Sequence, residues 1–438
     1  MTGKQQMKLG AFLMAGGHHI AAWRHPDAHA LAGSDIDHYI ALAQMAEAAK
    51  FDMIFVEDAA AIRERNPDLA GQAARSTSFE PLSLLATLAV NTSHIGLVAT
   101  ASTSYTEPYG LARTFASLDQ LSGGRAGWNL VTSASDLEAE NFASSGLRPH
   151  AQRYERAQEF ADAVLALWDS VEDNAYVLDG AAATYADPRK LHPVDHHGRY
   201  FTATGVLDSP RSPQGRPVMV QAGACDVGKD LAARTADVVF AAAQTLADSK
   251  AYYDDVKSRL AKFGRQPDDL KIMPGVSPIV AGSESEAREM YETLQALIPD
   301  AVGVALLASY LSIGDLSGYD LDGPLPDMPQ TQAMQSRQQL IIDTGKRENL
   351  SIRESARRFA GARGHWQVFG TPVQIADALQ ERFEAGAADG FNIMPPLFPT
   401  GLQDFIRLVV PELRRRGLFR DAYEGRTLRA HLGLKRSI

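Results

Sequence analysis

The chain has 438 residues, 45% of them hydrophobic and 22% charged, with 35 glycines and 22 prolines. That is ordinary globular usage and excludes disordered, collagen-like and low-complexity architectures. The net charge of −10 argues against a nucleic-acid footprint, which needs a basic face, and the lone Cys225 excludes an internal disulfide.

Near the start, the apolar stretch Leu9 to Ala15 ends at Gly16-Gly17-His18-His19, too short and wrongly followed for a signal peptide. No apolar run approaches the ~18 residues of a membrane span. A cytoplasmic chain with no membrane segment is expected.

Strand and helix patterns alternate from there. Lys8 to Met14 is an apolar strand, followed by a helix over Ile36 to Ala49 that Ser34 and Asp35 can cap. Asp52 to Val56 is a second strand, with its helix at Pro81 to Val90. His94 to Thr100 and Pro108 to Leu121 form a third pair, and Arg125 to Val131 with Tyr154 to Trp168 a fourth. After an irregular stretch from Val171 to Arg216, Pro217 to Gln221 and Val227 to Thr235 make the fifth. Asp237 to Ala241 with Ala247 to Phe263, and Leu270 to Val280 with Glu284 to Leu297, add two more. The last pair is Asp389 to Met394 and Leu402 to Arg416, preceded by an extra helix that Thr371-Pro372 opens and that runs to Phe383.

Buried strands separated by crossover helices imply a parallel sheet covered on both faces. Eight such units select a (β/α)8 TIM barrel over a doubly wound sheet. A barrel needs only ~250 residues, and the excess falls into insertions at about 59–79, 171–216 and 299–365 within a single domain spanning 1–438. The first should lie over the C-terminal mouth, where barrel active sites are built.

The strand ends carry uncharged hydrogen-bonding groups and aromatics, with few convergent carboxylates or bases. This suits a large planar cofactor better than direct hydrolysis. The histidine clusters are His18-His19, His25 with His29, and His192 with His196-His197, and none has the spacing of a metal site. A GxGxxG turn is absent, so nicotinamide binding by a Rossmann unit is not expected. The turn Gly223-Ala224-Cys225-Asp226-Val227-Gly228 leads small residues into a helix N-terminus, where free amides and the helix dipole attract phosphate. His150 and Tyr154, four apart on one helix face, can add two donors.

Read together, these residues resemble the nitrilotriacetate monooxygenase branch of the bacterial-luciferase-like flavin monooxygenases. The resemblance rests on Gly16-Gly17-His18-His19 with Trp23-Arg24, Phe55-Val56-Glu57-Asp58, Ala101 to Tyr109, and Ser122 to Thr132. It continues through His150 to Tyr154, Ser209 to Pro217, Gln221-Ala222-Gly223 and Asp389-Gly390-Phe391-Asn392. It implies a barrel that binds reduced FMN supplied by a separate NAD(P)H-dependent flavin reductase and uses dioxygen to oxygenate a small organic molecule. By the same resemblance, Asp58, Ser104 and Asn129 would contact the isoalloxazine and ribityl region, while His150, Tyr154, Ala224 and Cys225 would hold the phosphate. The family often has Ser where this chain has Ala224 or Cys225, so phosphate binding would lean on backbone amides.

Some relatives carry a substrate-contacting His in the third insertion, but Ala305 to Asp322 contains none, and no residue is assigned as acid or base. Substrate contacts are expected from Phe12, Met14, His18, His19 and Trp23, although Phe12 and Met14 read equally as barrel core. Glycines 303, 314, 318 and 323 would let Ala301 to Pro326 move over the mouth as a lid. A homodimer or homotetramer is expected. Two other readings stay open: a deazaflavin-dependent oxidoreductase of the same superfamily, and a flavin-binding protein without catalysis.

Overall fold

Eight parallel strands close on themselves, each pairing with the strand before and after it in chain order. They are Lys8–Leu13, Met53–Val56, Gly96–Ser102, Ala126–Val131, Val218–Gln221, Val238–Ala241, Lys271–Val280 and Gly390–Ile393. Closure is made by Lys8–Leu13 against Gly390–Ile393, in the register Gly10 opposite Asn392. The structure, a computed structural model, describes residues 5–29, 31–62, 64–73, 76–142, 146–316 and 318–437. Ser317 of the expected lid, and Arg63, Ala74 and Arg75 of the first insertion, lie outside the described residues.

The expected strands are all present because the strand segments are apolar on both faces, one set filling the barrel and the other packing on the helices. Phe12, Met53, Phe55, Val98, Val218, Val220 and Met273 meet inside, whereas Leu9, Ile54, Leu97 and Trp128 face the helical layer. The helices start where the caps allow. The Asp35 carboxylate accepts the Asp37 N–H, and Thr371 with Gln374 forms a reciprocal capping box with Pro372 in the first turn.

Three strands begin one residue after an aspartate that ties them to a neighbour. Asp52 accepts from the Leu9 N–H at 2.7 Å, Asp237 from the Met219 N–H at 2.8 Å, and Asp389 from the Ile272 N–H at 2.7 Å. Each carboxylate also meets a cation, respectively Arg420, Arg429 and Lys257. Arg420 and Arg429 belong to the C-terminal tail. Its short helix Leu428–Leu432 plugs the N-terminal end of the barrel, with Leu428 and Leu432 fully buried among the interior side chains.

The insertions divide by position. The segment 171–216 is not irregular throughout: it contains two antiparallel hairpins, Tyr176–Asp179 with Thr184–Ala186 and Val194–His197 with Thr202–Gly205. These sit on the outside of the helix His150–Asp169, where Glu159 accepts the N–H groups of Arg199, Tyr200 and Phe201. The segment 299–365 holds three helices, Asp300–Leu311, Gln335–Glu348 and Ile352–Ala362. It leads into a ninth strand, Trp366–Gly370, that adds to the outer half of Lys271–Val280. Among the described residues no single helix is long and apolar enough to cross a membrane.

Candidate active site

A cavity of 1330 Å³ opens beyond the C-terminal ends of the barrel strands. Typical small-molecule sites occupy about 300–1,000 Å³, so this one has room for a cofactor and a second molecule. Its cover comes from the first and third insertions: Glu64 to Asn66 and Leu69 on one side, and Asp300, Val304, Ala308, Met334, Arg337 and Leu340 on the other.

Two helix N-termini meet at one corner of the cavity. The helices His150–Asp169 and Asp226–Thr235 both begin there without an N-cap side-chain bond, the first donating only its His150 N–H to Gln332 at 3.4 Å, so their other first-turn amides and dipoles point at the same space. The turn between them is tight: a Cβ on Gly228 would sit 3.1 Å from the Tyr154 hydroxyl and 3.2 Å from Cys225 Sγ. Burial, followed by the neighbouring Cys225 thiol, pushes the Tyr154 pKa upward. Tyr252 donates to the Gly223 carbonyl at 2.6 Å and locks the turn from behind.

Arg153 completes the corner. It is 3% exposed, donates to the carbonyls of Arg148 at 2.6 Å and Gln332 at 2.8 Å, leaves Nε without a partner, and forms no salt bridge among the described residues. A guanidinium buried without a counter-charge is costly unless an anion joins it. Burial, then the Arg153 charge, also pushes the His150 pKa down. His150, Arg153 and Tyr154 stand at i, i+3 and i+4, a single face of the helix. That spacing is the sequence signal by which Arg153 could have been found beside the other two.

Deeper in, Asn129 is 3% exposed, with its amide donating to Thr100 Oγ1 at 2.9 Å while its carbonyl oxygen has no partner. Thr100 in turn donates to the Val56 carbonyl, which holds the Asn129 amide in place. The floor is aromatic: Phe12, Phe55 and Phe240 pack with centroids 4.8 to 5.6 Å apart, and His365 lies 5.0 Å from Phe240. Beside them Arg363 pairs with Glu57. Burial works against the Arg363 charge, but Glu57 and Tyr310 outweigh it and keep the guanidinium charged.

Of the residues expected from sequence, Asp58, Asn129, His150, Tyr154, Ala224, Cys225 and Phe12 line the cavity. The others stand behind it. Ser104 donates to the Thr132 carbonyl at 2.6 Å and so supports a wall residue from outside. His18 is fully buried against Phe12, bonded to the Phe12 carbonyl at 2.8 Å, and His19 contacts Gln295 and Tyr291. Met14 rests its sulfur 3.8 Å from Arg363, and Trp23 is on the surface, 44% exposed. The reason is the reversal at Gly16-Gly17, which turns the chain back onto Pro395 and Pro396 instead of into the mouth.

Residues 15–389 match the luciferase-like monooxygenase family. The chain is 49% identical to nitrilotriacetate monooxygenase component A of Aminobacter aminovorans, covering 100% of this chain and 98% of that protein. It is 47% identical to N-acetyl-S-(2-succino)cysteine monooxygenase of Bacillus subtilis, covering 99% and 98%. Among solved structures, a riboflavin lyase with modified FMN and riboflavin superposes with a TM-score of 0.89 at 31% identity, over 99% of this chain and 97% of that one. The chain therefore belongs to the luciferase-like monooxygenase family, as the monooxygenase component of a two-component flavin-dependent system.

Proposed function

We propose that the flavin is FMN, bound in reduced form after release from a separate NAD(P)H-dependent reductase, and that the second molecule in the cavity is a small carboxylated substrate. The observation that carries this reading is the anion corner, where a buried Arg153 with no salt bridge among the described residues meets the N-termini of two helices. A phosphate monoester satisfies both at once. The orphaned Asn129 carbonyl oxygen, some way inside, calls for a donor such as a flavin or ribityl group provides.

Bound reduced flavin supplies the electron pair with which one atom of dioxygen enters the substrate and the other leaves as water. The chain's own residues do the rest. His150, Arg153, Tyr154 and the amides around Ala224 and Cys225 anchor the phosphate, Asn129 and Asp58 orient the polar edge, and Ser104 braces Thr132. Val304, Ala308 and Leu340 close the cavity from above and exclude water from the reacting centre.

The relatives named for nitrilotriacetate and N-acetyl-S-(2-succino)cysteine both act on carboxylated molecules, which favours that substrate class here. Deazaflavin hydride transfer is not favoured, because the relatives of high identity are named monooxygenases. We place the enzyme in the cytoplasm, where reduced nicotinamide and a reductase are available, as a homodimer or homotetramer of single-domain chains.

Equilibrium binding of FMN, reduced anaerobically, tests the reading. Wild type should bind reduced FMN more tightly than oxidised FMN. Tyr154→Phe and His150→Ala should each weaken it by roughly two- to tenfold, a neutral hydrogen bond being worth about 0.5–1.5 kcal/mol. Arg153→Gln should weaken it further, by roughly tenfold or more, since charged hydrogen bonds contribute about 1.5–3 kcal/mol. Unchanged affinity in all three variants overturns the phosphate assignment.

A further inference from the structure

His365 is absent from the residues that sequence reasoning selected, yet it stands in the cavity wall. The helix Ile352–Ala362 ends at Arg363 with φ 56° and Gly364 with φ 80°, and this left-handed reversal turns the chain inward before the strand Trp366–Gly370 begins. The ring arrives 3% exposed, among Phe240, Arg363 and the barrel interior. Among the described residues no hydrogen bond is made to its ring, and Nδ1 is both buried and unpartnered.

The two nitrogens are not equivalent. Nδ1 faces the wall, where a Cβ on Gly275 would sit 2.7 Å away, so no ligand atom fits on that side. Nε2 is the nitrogen left to meet a molecule in the cavity. Burial, then the charges of Arg337, Arg363 and His18, hold the imidazole neutral. A neutral ring carries one N–H, and an orphaned buried N–H costs more than an orphaned lone pair. The proton therefore belongs on Nε2, and the ring presents a donor to the cavity. Arg363 at that end is paired with Glu57, and the charge of Arg337, which lines the same cavity, favours an anionic acceptor there.

We propose that His365 is a specificity-determining residue of the substrate pocket, donating from Nε2–H to a carboxylate oxygen of the substrate. The inference rests on the reading of a flavin site beside a carboxylated substrate, and adds the side chain that recognises the carboxylate.

The test titrates the enzyme, in saturating FMN, with nitrilotriacetate and with its trimethyl ester, for wild type, His365→Leu and His365→Gln. Wild type should bind the acid at least about tenfold more tightly than the ester, a step of one decade in Kd. Leu should remove that preference by weakening the acid alone, and Gln, which keeps a donor, should stay within about threefold of wild type. Acid and ester binding equally, neither binding, or Leu leaving the acid unchanged each overturns the proposal. A second measurement keeps the proposal falsifiable if the Leu variant misfolds. Nitrogen-15 spectra of histidine-labelled enzyme, assigned by the signal missing in His365→Gln, should show the Nε2–H tautomer, and an Nδ1–H tautomer overturns the assignment. FMN binding is followed in the same samples. Its failure counts against the flavin site, whereas bound FMN with carboxylates ignored counts against His365 alone.

Discussion

Cys225 occupies the N-cap of the helix Asp226–Thr235 but makes no capping hydrogen bond. A hydroxyl in that position would accept from the open first-turn amides, or donate to a bound phosphate. Cys225→Ser should therefore tighten reduced FMN binding by about two- to tenfold and raise stability by about 0.5–1 kcal/mol, read by anaerobic titration and urea unfolding. His150, Tyr154 and the Gly223 turn were legible because spacing along a helix and small residues before one are local signals. Arg153 shares that helix spacing, but what sets it and His365 apart is burial without a partner, and burial depends on chain segments far away in sequence.

Among the elements, the barrel strands were readable because each is apolar on both faces and preceded or followed by a helix signal. The strand Trp366–Gly370 was missed for a physical reason: it is half-buried and pairs only with the outer part of Lys271–Val280, so it lacks the continuous apolar run of a barrel strand. The helix Leu428–Leu432 was missed because five residues carry too little periodicity to stand out. Its importance comes from where it docks, with Leu428 filling the barrel floor and Arg429 forking onto Asp237 at 3.0 and 2.7 Å. Leu428→Ala should cost about 2–5 kcal/mol through lost burial and a residual cavity, measured by denaturant midpoint. It should leave reduced FMN affinity unchanged, since the plug lies at the end of the barrel opposite the cavity.

For the whole molecule, that plug also links stability to acid. His431 is 1% exposed and bonds the His94 carbonyl at 2.7 Å, and burial pushes its pKa from 6.5 down to about 4 despite that bond. The folded protein therefore binds fewer protons than the unfolded chain between those values. The stability contributed by neutral His431 is complete above pH 6.5 and is lost as the pH falls towards 4. The span corresponds to at most about 3 kcal/mol. His431→Gln should remove that part of the acid dependence, so the difference in unfolding free energy between wild type and variant should shrink steadily from neutral pH to pH 4.

The sequence by itself determined the closed barrel and its chain order, because these follow from apolar periodicity, caps and short spacings, all properties of neighbouring residues. Only the tertiary structure decided which polar groups ended buried without partners, which of the strand-1 residues turned away from the mouth, and what sealed the opposite end. Those outcomes depend on desolvation and on contacts between residues as distant as Asp237 and Arg429, and neither is written in any local stretch of the chain.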